Sequence, residues 1–333
     1  MEARRLKWKS VMKGIGLFLI LLMAFMIVNN SSFFTKARDT EPYLLAHRGL
    51  GQTFSMEGIE GDTCTAERIF PPEHVYLENT LRSMEAAFAT GADAVEFDIR
   101  PTKDGQFAVF HDWTLDCRTD VQGLPSDYTM AELKNVDIGY GYTADQGETY
   151  PFRGEGVGEM PSLDEVLSEF PEHSFLIDMK SNDFEEGKLL AKKLGALSDE
   201  RLQLLTVYGG DKPIAALKEE LPRLRVMSME TMKNCMIPYM AAGWTGYIPK
   251  ACEHTQIHLP EKFAPLIWGW PDKFLNRMDS VDTRVIVVAG DGGWSEGFDE
   301  VNDLSRLPNN FSGGIWTNRI DRVGPWLKGE ETE

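Results

Sequence analysis

Short stretches that are apolar on both alternating faces recur along this 333-residue chain, with helix-like segments between them. Such continuous apolar runs are typical of strands whose sheet is covered on both sides. The candidate strands are Tyr43–Ala46, Ala94–Arg100, Phe107–Phe110, Ser174–Lys180, Leu202–Val207, Arg225–Met229, Arg284–Ala289 and Gly314–Trp316. Strands that alternate with helices indicate a parallel α/β fold, and its closed form is the (β/α)8 TIM barrel. An open doubly wound sheet is the alternative, although no G-x-G-x-x-G fingerprint follows a strand.

Two long polar connections interrupt this alternation, at Leu50–Leu77 and at Thr114–Pro161. In a parallel barrel both would follow the carboxyl ends of strands and would therefore lie on the catalytic face. Long loops at such a place are commonly lids or substrate walls. We therefore expect both loops to border the functional site.

The N-terminal segment predicts a membrane helix. No charged residue lies between Gly14 and Phe34, the apolar centre is Ile15–Val28, and basic side chains dominate residues 1–13. The positive-inside rule keeps that basic tail in the cytoplasm and places the rest of the chain outside it. We divide the chain into a tail and transmembrane signal anchor (1–28), a linker (29–41) and a barrel domain (42–328). A cleaved signal peptide and a secreted domain are the alternative.

Charge and cysteine content narrow the possible partners. The net charge is −18, and it is more negative still without the basic tail, which argues against nucleic-acid binding. Four cysteines are present, Cys64, Cys117, Cys235 and Cys252, and none forms a C-x-x-C pair. A domain outside the cytoplasm permits disulfides, and three pairings of these cysteines remain open.

Carboxylates and imidazoles cluster at the predicted strand ends. Glu96 and Asp98 are two residues apart on one strand, so both side chains leave the same face, about 6.8 Å apart along the strand. A hard divalent cation would offset their repulsion, and an ion pair with Arg100 would be the plainer explanation. His47 and His111 each end a candidate strand. Two imidazoles suit displacement at phosphorus, because one accepts a proton while the other donates one.

Several weaker signals accompany this cluster. Arg48 follows His47 and could bind a phosphate oxygen. Asn79 or Thr80 is expected to cap the helix that begins there. His254 and His258 have the i, i+4 spacing of a metal site, but no H-E-x-x-H motif contains them. The serine-hydrolase elbow and the Walker A loop are both missing from the sequence, which disfavours those enzymes.

The order of these motifs resembles the glycerophosphodiester phosphodiesterase family. The segments that carry the resemblance are His47-Arg48-Gly49, Glu78-Asn79-Thr80, Gly91 to Ile99, and Asp104-Gly105 through His111-Asp112. A fainter likeness extends to Gly313–Asn318, which resembles the last strand of the family. Asp178-Met179-Lys180 stands where the family commonly has Glu-x-Lys, and the Leu50–Leu77 loop is longer than the usual link.

The resemblance implies a metal-dependent barrel enzyme that hydrolyses glycerophosphodiesters to glycerol 3-phosphate and an alcohol. It implies that His47 and His111 form the acid/base pair and that one divalent cation, Ca²⁺ or Mg²⁺, is bound by Glu96, Asp98 and Asp178. It implies further that Arg48, Glu78 and Lys180 contact the substrate. The expected partners are a small phosphodiester or a lipid-derived substrate and, through the N-terminal helix, a membrane.

Two other hypotheses remain. A phospholipase C- or D-like enzyme on the same barrel would cleave a membrane phospholipid, and an apolar rim around the pocket would favour it. A binding protein on a decayed barrel would not be an enzyme. The presence of both histidines and of all three acidic positions argues against that last hypothesis.

Overall fold

The computed structural model describes residues 2–35, 40–60, 63–293 and 296–329 of the chain. Its strands are β1 (Tyr43–His47), β2 (Ala94–Pro101), β3 (Phe107–Val109), β4 (Ser174–Met179), β5 (Leu205–Gly209), β6 (Arg225–Met227), β7 (Gln256–Pro260), β8 (Arg284–Val288) and β9 (Gly314–Thr317). Among these described strands, all except β3 pair in parallel, in the order β6-β5-β4-β2-β1-β9-β8-β7. A parallel bridge between Val226 and Thr255 joins the two ends of that order. The predicted TIM barrel is confirmed, as a nearly closed ring.

Helices cover the outside of this ring and precede it. They are α1 (Glu2–Asn30), α2 (Leu81–Ala89), α3 (Met130–Leu133), α4 (Leu163–Glu169), α5 (Phe184–Leu194), α6 (Asp199–Gln203), α7 (Asp211–Glu220), α8 (Met229–Ala242), α9 (Asp272–Asp279) and α10 (Ile320–Leu327). The capping box predicted at Ser162 is present, because its hydroxyl accepts from the Glu165 N–H and the Glu165 side chain accepts in return.

Two predicted strands were wrong in detail. Phe107–Phe110 is not a barrel strand: β3 pairs antiparallel with the end of β2 and forms a hairpin with it. The remaining barrel strand is β7, which was not predicted. Its polar residues Gln256 and His258 interrupt the apolar run that is typical of the other strands. The segment predicted as Leu202–Val207 begins as helix α6, and the strand β5 starts only at Leu205.

The long loops have a core of their own. The larger core lies between the covering helices and the strand faces that point outward from the ring. A separate cluster under the loops contains Ile69, Leu77, Phe110, Leu115 and Tyr142. The Cys64–Cys117 disulfide joins the 50–77 loop to the 114–161 loop, and Cys235 pairs with Cys252 between α8 and β7. The pairing that the sequence left open is thereby resolved.

Helix α1 leaves the barrel beside the end of α8. The segment Trp8–Asn30 is long and apolar enough to cross a membrane, and none of its most apolar window is buried against the barrel. The side-chain amides of Asn29 and Asn30 each donate to the Trp244 carbonyl at 2.9 Å. Arg277 in α9 donates to the Asn29 carbonyl at 2.8 Å and to Asn30 Oδ1 at 3.1 Å. The end of the apolar helix is therefore held directly by the barrel.

Candidate active site

Three buried carboxylates meet where strands β2 and β4 lie side by side. Glu96 and Asp98 point from one face of β2, as the alternation of a strand requires, and Asp178 of β4 is in direct register with Asp98. Glu96 and Asp98 are fully buried and Asp178 is nearly so. One oxygen of each lies within 4.8 Å of the others, as in a site for a hard cation.

The charges of this acidic triad (Glu96, Asp98, Asp178) act strongly on one another. Burial raises the pKa of Glu96 well above its usual value, and the charges of Asp98 and Asp178 raise it further. Burial acts in the same direction on Asp98, but Lys180 and Arg48 outweigh it and hold the Asp98 pKa well below its usual range. Asp98 therefore remains ionised, whereas Glu96 resists ionisation.

Lys180 lies against the same triad. Its Nζ is 2.9 Å from Asp98 Oδ1 and 2.5 Å from Asp178 Oδ2. Burial would lower the pKa of Lys180, but the charges of Asp98 and Asp178 raise it overall, so the ammonium stays charged. The site thus holds a fixed positive charge beside the carboxylates.

His47 ends β1 and faces the triad. Its Nδ1 is 2.6 Å from Asn318 Oδ1, an oxygen that can only accept, so Nδ1 carries the proton and Nε2 is free of one. That Nε2 lies 3.8 Å from Glu96 Oε2, and the ring packs on Trp316 with 4.7 Å between ring centroids. Burial, followed by the nearby charge of Arg48, lowers the His47 pKa well below its usual value. The imidazole is therefore neutral at pH 7.

His111 reaches the same mouth by a different route. It follows the β2–β3 hairpin, and the Phe110 N–H donates to the Asp98 carbonyl at 3.0 Å, which returns the chain to the barrel rim. Its Nδ1 is 2.7 Å from Asp112 Oδ1. Burial, and then the charge of Arg48, lowers the His111 pKa, which the bond to Asp112 partly restores. Both predicted histidines thus border one site.

Arg48 spans the space between the carboxylates and the loop acids. Its Nε is 3.2 Å from Asp98 Oδ2, and its Nη1 donates to Glu78 Oε1 at 2.8 Å. Its backbone N–H donates to Glu96 Oε2 at 3.2 Å, and its φ of 57° lies in the left-handed region. Such strain is tolerated where surrounding contacts over-determine it, as they do here. The alternative that one of the two acids pairs with an arginine holds for Asp98, but the partner is Arg48; Arg100 donates to the His111 carbonyl at 2.7 Å.

Some site residues were missed or misread in the sequence. The expectation that Asn79 or Thr80 caps α2 is confirmed for Thr80. The role of Asn79 was missed: its Nδ2 donates to Asp98 Oδ2 at 2.8 Å. Tyr208 donates to Glu96 Oε1 at 2.7 Å from strand β5. Asn318, which holds His47, itself donates to Asp299 Oδ2 at 2.9 Å. The E-N-T motif was a signal for Asn79, but nothing local distinguishes Tyr208 or Asp299.

His254 and His258, whose spacing resembled a metal site, do not form a site together. His254 Nδ1 lies 2.5 Å from Asp282 Oδ2 outside the barrel. His258 lies inside the barrel on β7, 2.9 Å from Gln256 Nε2. Trp316 contacts His47, whereas Trp268 donates to the Met240 carbonyl and Trp270 packs near Phe274.

A cavity of about 370 Å³ opens directly beside His47 and Arg48. Phe54 and Met56 of the 50–77 loop line one wall, and Glu296, Asp299 and Arg306 lie on another. The prediction that the 50–77 loop borders the functional site is therefore confirmed. The cavity is large enough for a small organic ligand.

Known proteins resemble this chain over the region that carries the site. Residues 47–231 match the model of the glycerophosphoryl diester phosphodiesterase family. A glycerophosphodiester phosphodiesterase of Bacillus subtilis is 32% identical over 194 residues, which are 53% of this chain and 65% of that protein. One of Bacillus altitudinis is 37% identical over 106 residues, 32% of this chain and 40% of that protein. The chain thus matches less than two thirds of the length of either relative.

Solved structures share the fold at low sequence identity. A glycerophosphodiester phosphodiesterase from Agrobacterium tumefaciens aligns with a TM-score of 0.55 at 18% identity, covering 86% of this chain and 99% of the other. An Oleispira antarctica phosphodiesterase in complex with the product sn-glycerol-3-phosphate aligns with a TM-score of 0.51 at 15% identity, covering 87% and 96%. These alignments support the barrel architecture.

Proposed function

This chain belongs to the glycerophosphoryl diester phosphodiesterase family, and we propose that it hydrolyses glycerophosphodiesters to glycerol 3-phosphate and an alcohol. The observation that carries the proposal is the convergence of His47 and His111 on the buried triad at one barrel mouth. Curated relatives named for this activity, and a phosphodiesterase of the same fold that binds sn-glycerol-3-phosphate, support it.

The triad suits a divalent cation. Three buried carboxylates repel one another, and the raised pKa of Glu96 reflects that repulsion together with burial. Glu96, Asp98 and Asp178 would hold one ion, Ca²⁺ or Mg²⁺, since both prefer carboxylate oxygens. Such an ion, when bound, supplies polarisation of the phosphoryl oxygens and neutralisation of their growing charge.

His47 acts as the general base. Its Nδ1–H is engaged by Asn318, so the unprotonated Nε2 faces the site and can accept a proton from the attacking oxygen. The low pKa of His47 keeps that nitrogen free at neutral pH. The attacking oxygen is that of a water molecule or of a hydroxyl on the glycerol moiety, and either gives its proton to the same atom. Attack by the hydroxyl expels the alcohol and forms a cyclic phosphodiester, which water must then open to give glycerol 3-phosphate.

His111 acts as the general acid. Asp112 can only accept when ionised, so it holds the Nδ1–H of His111 and stabilises the imidazolium. An anionic phosphodiester bound between the histidines counteracts the charge of Arg48, which lowers the His111 pKa in the free site. Substrate binding therefore promotes protonation of Nε2, which donates that proton to the departing alcohol oxygen.

Arg48 and Lys180 supply positive charge for the phosphate. Both remain ionised because the surrounding carboxylates raise their pKa values against the effect of burial. Glu78 lies at the entrance to the adjoining cavity, where its carboxylate would accept from the glycerol hydroxyls, and it also orients Arg48. The guanidinium can present two N–H groups to one phosphate, which an ammonium cannot.

One observation favours the alternative of a membrane phospholipid substrate. Phe54 and Met56 line the cavity beside His47, and Met56 is 40% exposed, so part of the rim is apolar. The acidic wall on the other side favours a polar or cationic alcohol instead. The deacylated diester remains the better fit, because charged as well as apolar side chains line the described rim.

We propose further that α1 anchors the chain in a membrane, with the barrel domain outside the cytoplasm. The division into an anchor (1–28), a linker (29–41) and a barrel (42–328) follows from it. Three observations support this arrangement. Helix α1 contains a long uncharged segment after its basic start, the remaining chain is acidic, and the chain has two disulfides. Cleavage of the segment as a signal peptide, which would release a secreted domain, is the alternative.

The direct test is a panel of substrates assayed with the full chain. Glycerophosphocholine, glycerophosphoethanolamine and glycerophosphoglycerol would be incubated after chelation with EDTA, and again after Ca²⁺ or Mg²⁺ is restored. Intact phosphatidylcholine in mixed micelles tests the alternative. We expect metal-restored release of glycerol 3-phosphate from at least one diester. Turnover of the phospholipid alone would favour the alternative, and no turnover of any member would refute both.

A further inference from the structure

The disulfide between the two long loops lies next to a buried arginine. Cys64 precedes Thr65, and Cys117 precedes Arg118. Thr65 Oγ1 accepts a hydrogen bond from Arg118 Nη2 at 2.5 Å, so a covalent and a polar link join the same two segments. Arg118 also donates through Nη1 to the Tyr142 hydroxyl at 2.6 Å. The two loops therefore hold this one side chain between them.

Arg118 connects the two halves of the candidate site. Its Nε donates to Asp112 Oδ2 at 2.8 Å, and its Nη1 lies 3.1 Å from Glu78 Oε2. The other oxygen of Asp112 is bound to His111, and the other oxygen of Glu78 is bound to Arg48. One guanidinium, only 3% exposed, therefore spans the carboxylates that orient the general acid and the phosphate-binding arginine.

The planar fork of arginine is what makes this connection possible. A guanidinium offers five N–H donors in fixed directions, whereas a lysine ammonium is a single point charge. Burial alone would lower the pKa of Arg118, but Asp112 and Glu78 raise it well above its usual value, so its charge is permanent.

We propose that Arg118 is a positioning residue for His111 and Arg48, and that the Cys64–Cys117 disulfide keeps it in place. The inference rests on the proposed hydrolytic function. Neither the disulfide nor Arg118 contacts the reacting atoms; both act through Asp112 and Glu78. The long 50–77 loop then helps to hold Arg118 in position, in addition to lining the cavity.

The proposal makes turnover sensitive to a dithiol reductant. Two electrons and two protons pass from the dithiol to the Cys64–Cys117 bond, which breaks to give two thiols while the dithiol closes to its own disulfide. Cys64 and Cys117 are partly exposed, whereas Cys235 and Cys252 are fully buried. Mild reduction should therefore reach the first bond before the second, as mass spectrometry of alkylated peptides would establish.

Kinetics of the full chain test the positioning role. We expect Cys64→Ser/Cys117→Ser and Arg118→Lys each to lower kcat at least about tenfold, because a general acid acts in the transition state, and to raise KM, because Arg48 binds the phosphate. Thr65→Val keeps the disulfide and should give a smaller loss. The matched control, Cys235→Ser/Cys252→Ser, should lower the melting temperature and leave kcat at 25 °C unchanged. Wild-type kcat in the first double variant would overturn the proposal.

A measurement without substrate separates this inference from the proposed function. The ring nitrogens of His111, assigned with a His111→Gln variant, would be followed by NMR before and after mild reduction. We expect the Nδ1–H signal to shift or broaden as the bond to Asp112 loosens, with the signals of His254 unchanged. An unaltered His111 signal refutes the positioning role even if no diester is hydrolysed. A shifted signal in a chain without turnover refutes the proposed hydrolysis alone.

Discussion

The amide oxygen of Asn318 lies 2.6 Å from Nδ1 of His47, although 271 residues separate the two in sequence. Asn318 is itself held by Asp299, which accepts from its side-chain and backbone N–H groups at 2.9 Å and 2.7 Å. Rotation of the side-chain amide would break its bonds to His47 and to Asp299 Oδ2. The tautomer that leaves Nε2 of His47 free is therefore built into the barrel.

Replacement of Asn318 tests this arrangement. Asn318→Ala leaves the Nδ1–H without its acceptor, so both tautomers of His47 become populated and the ring loses its orientation. We expect kcat to fall by about 10- to 100-fold with the melting temperature changed by only a few degrees, as for other partners that orient a functional histidine. Steady-state kinetics and thermal unfolding measure both quantities, and an unchanged kcat would contradict the assigned tautomer.

Replacement of either catalytic histidine should lower turnover without unfolding the chain. His47→Ala and His111→Ala remove the base and the acid, and each typically contributes 10²- to 10⁴-fold, so we expect turnover to fall by about that factor. His254→Ala is the control, because this histidine contacts Asp282 far from the triad. It should keep full turnover. Comparable losses in all three variants would indicate a general defect in folding.

Metal removal should weaken the fold as well as the reaction. Without a cation the triad carboxylates repel, so we expect Ca²⁺ or Mg²⁺ to raise the melting temperature of the EDTA-treated chain. Saturation at one hundred times Kd corresponds to about 2.7 kcal/mol. Asp178→Asn should reduce the shift, whereas Asp164→Asn, at an exposed ion pair with Lys193, should preserve it. A metal-independent melting temperature would remove the basis for the ion site.

Acid should abolish the contribution of Asp112 to stability. Arg118 and His111 hold the pKa of this buried acid well below its ordinary value of 3.8, despite burial. A depressed pKa stabilises the fold above the unfolded-state value, and that stabilisation is lost as the pH falls below it. Asp112→Asn should therefore cost about 3 kcal/mol at pH 7. The difference should shrink below pH 4, as urea unfolding at several pH values would measure; a pH-independent difference would contradict it.

The local patterns that predicted the site depend only on chain geometry. Glu96 and Asp98 share a face because side chains alternate along any strand, and His47 ends a strand that is apolar on both sides. Asp178 lies near the end of another candidate strand, and its role as a ligand came from the family resemblance. These side chains lie close together because the carboxyl ends of parallel strands lie at the same end of the barrel.

Other features depend on tertiary pairing that no local pattern contains. The bond from Asn318 to His47 follows from the register of β1 against β9, which barrel closure establishes. Strand β7 carries Gln256 and His258, whose polar side chains pack within the barrel and interrupt the apolar run. The partner of Cys64 was undetermined because loop segments of such length can meet in several ways.

The β2–β3 hairpin divides the acid/base pair between two parts of the molecule. His47 belongs to the ring of parallel strands, whereas His111 is carried by an excursion whose apolar support is the small loop cluster around Phe110 and Leu115. Regions with fewer buried contacts open at lower free energy than a central core. Warming should therefore abolish activity before the ring of parallel strands unfolds, so that inactivation precedes melting.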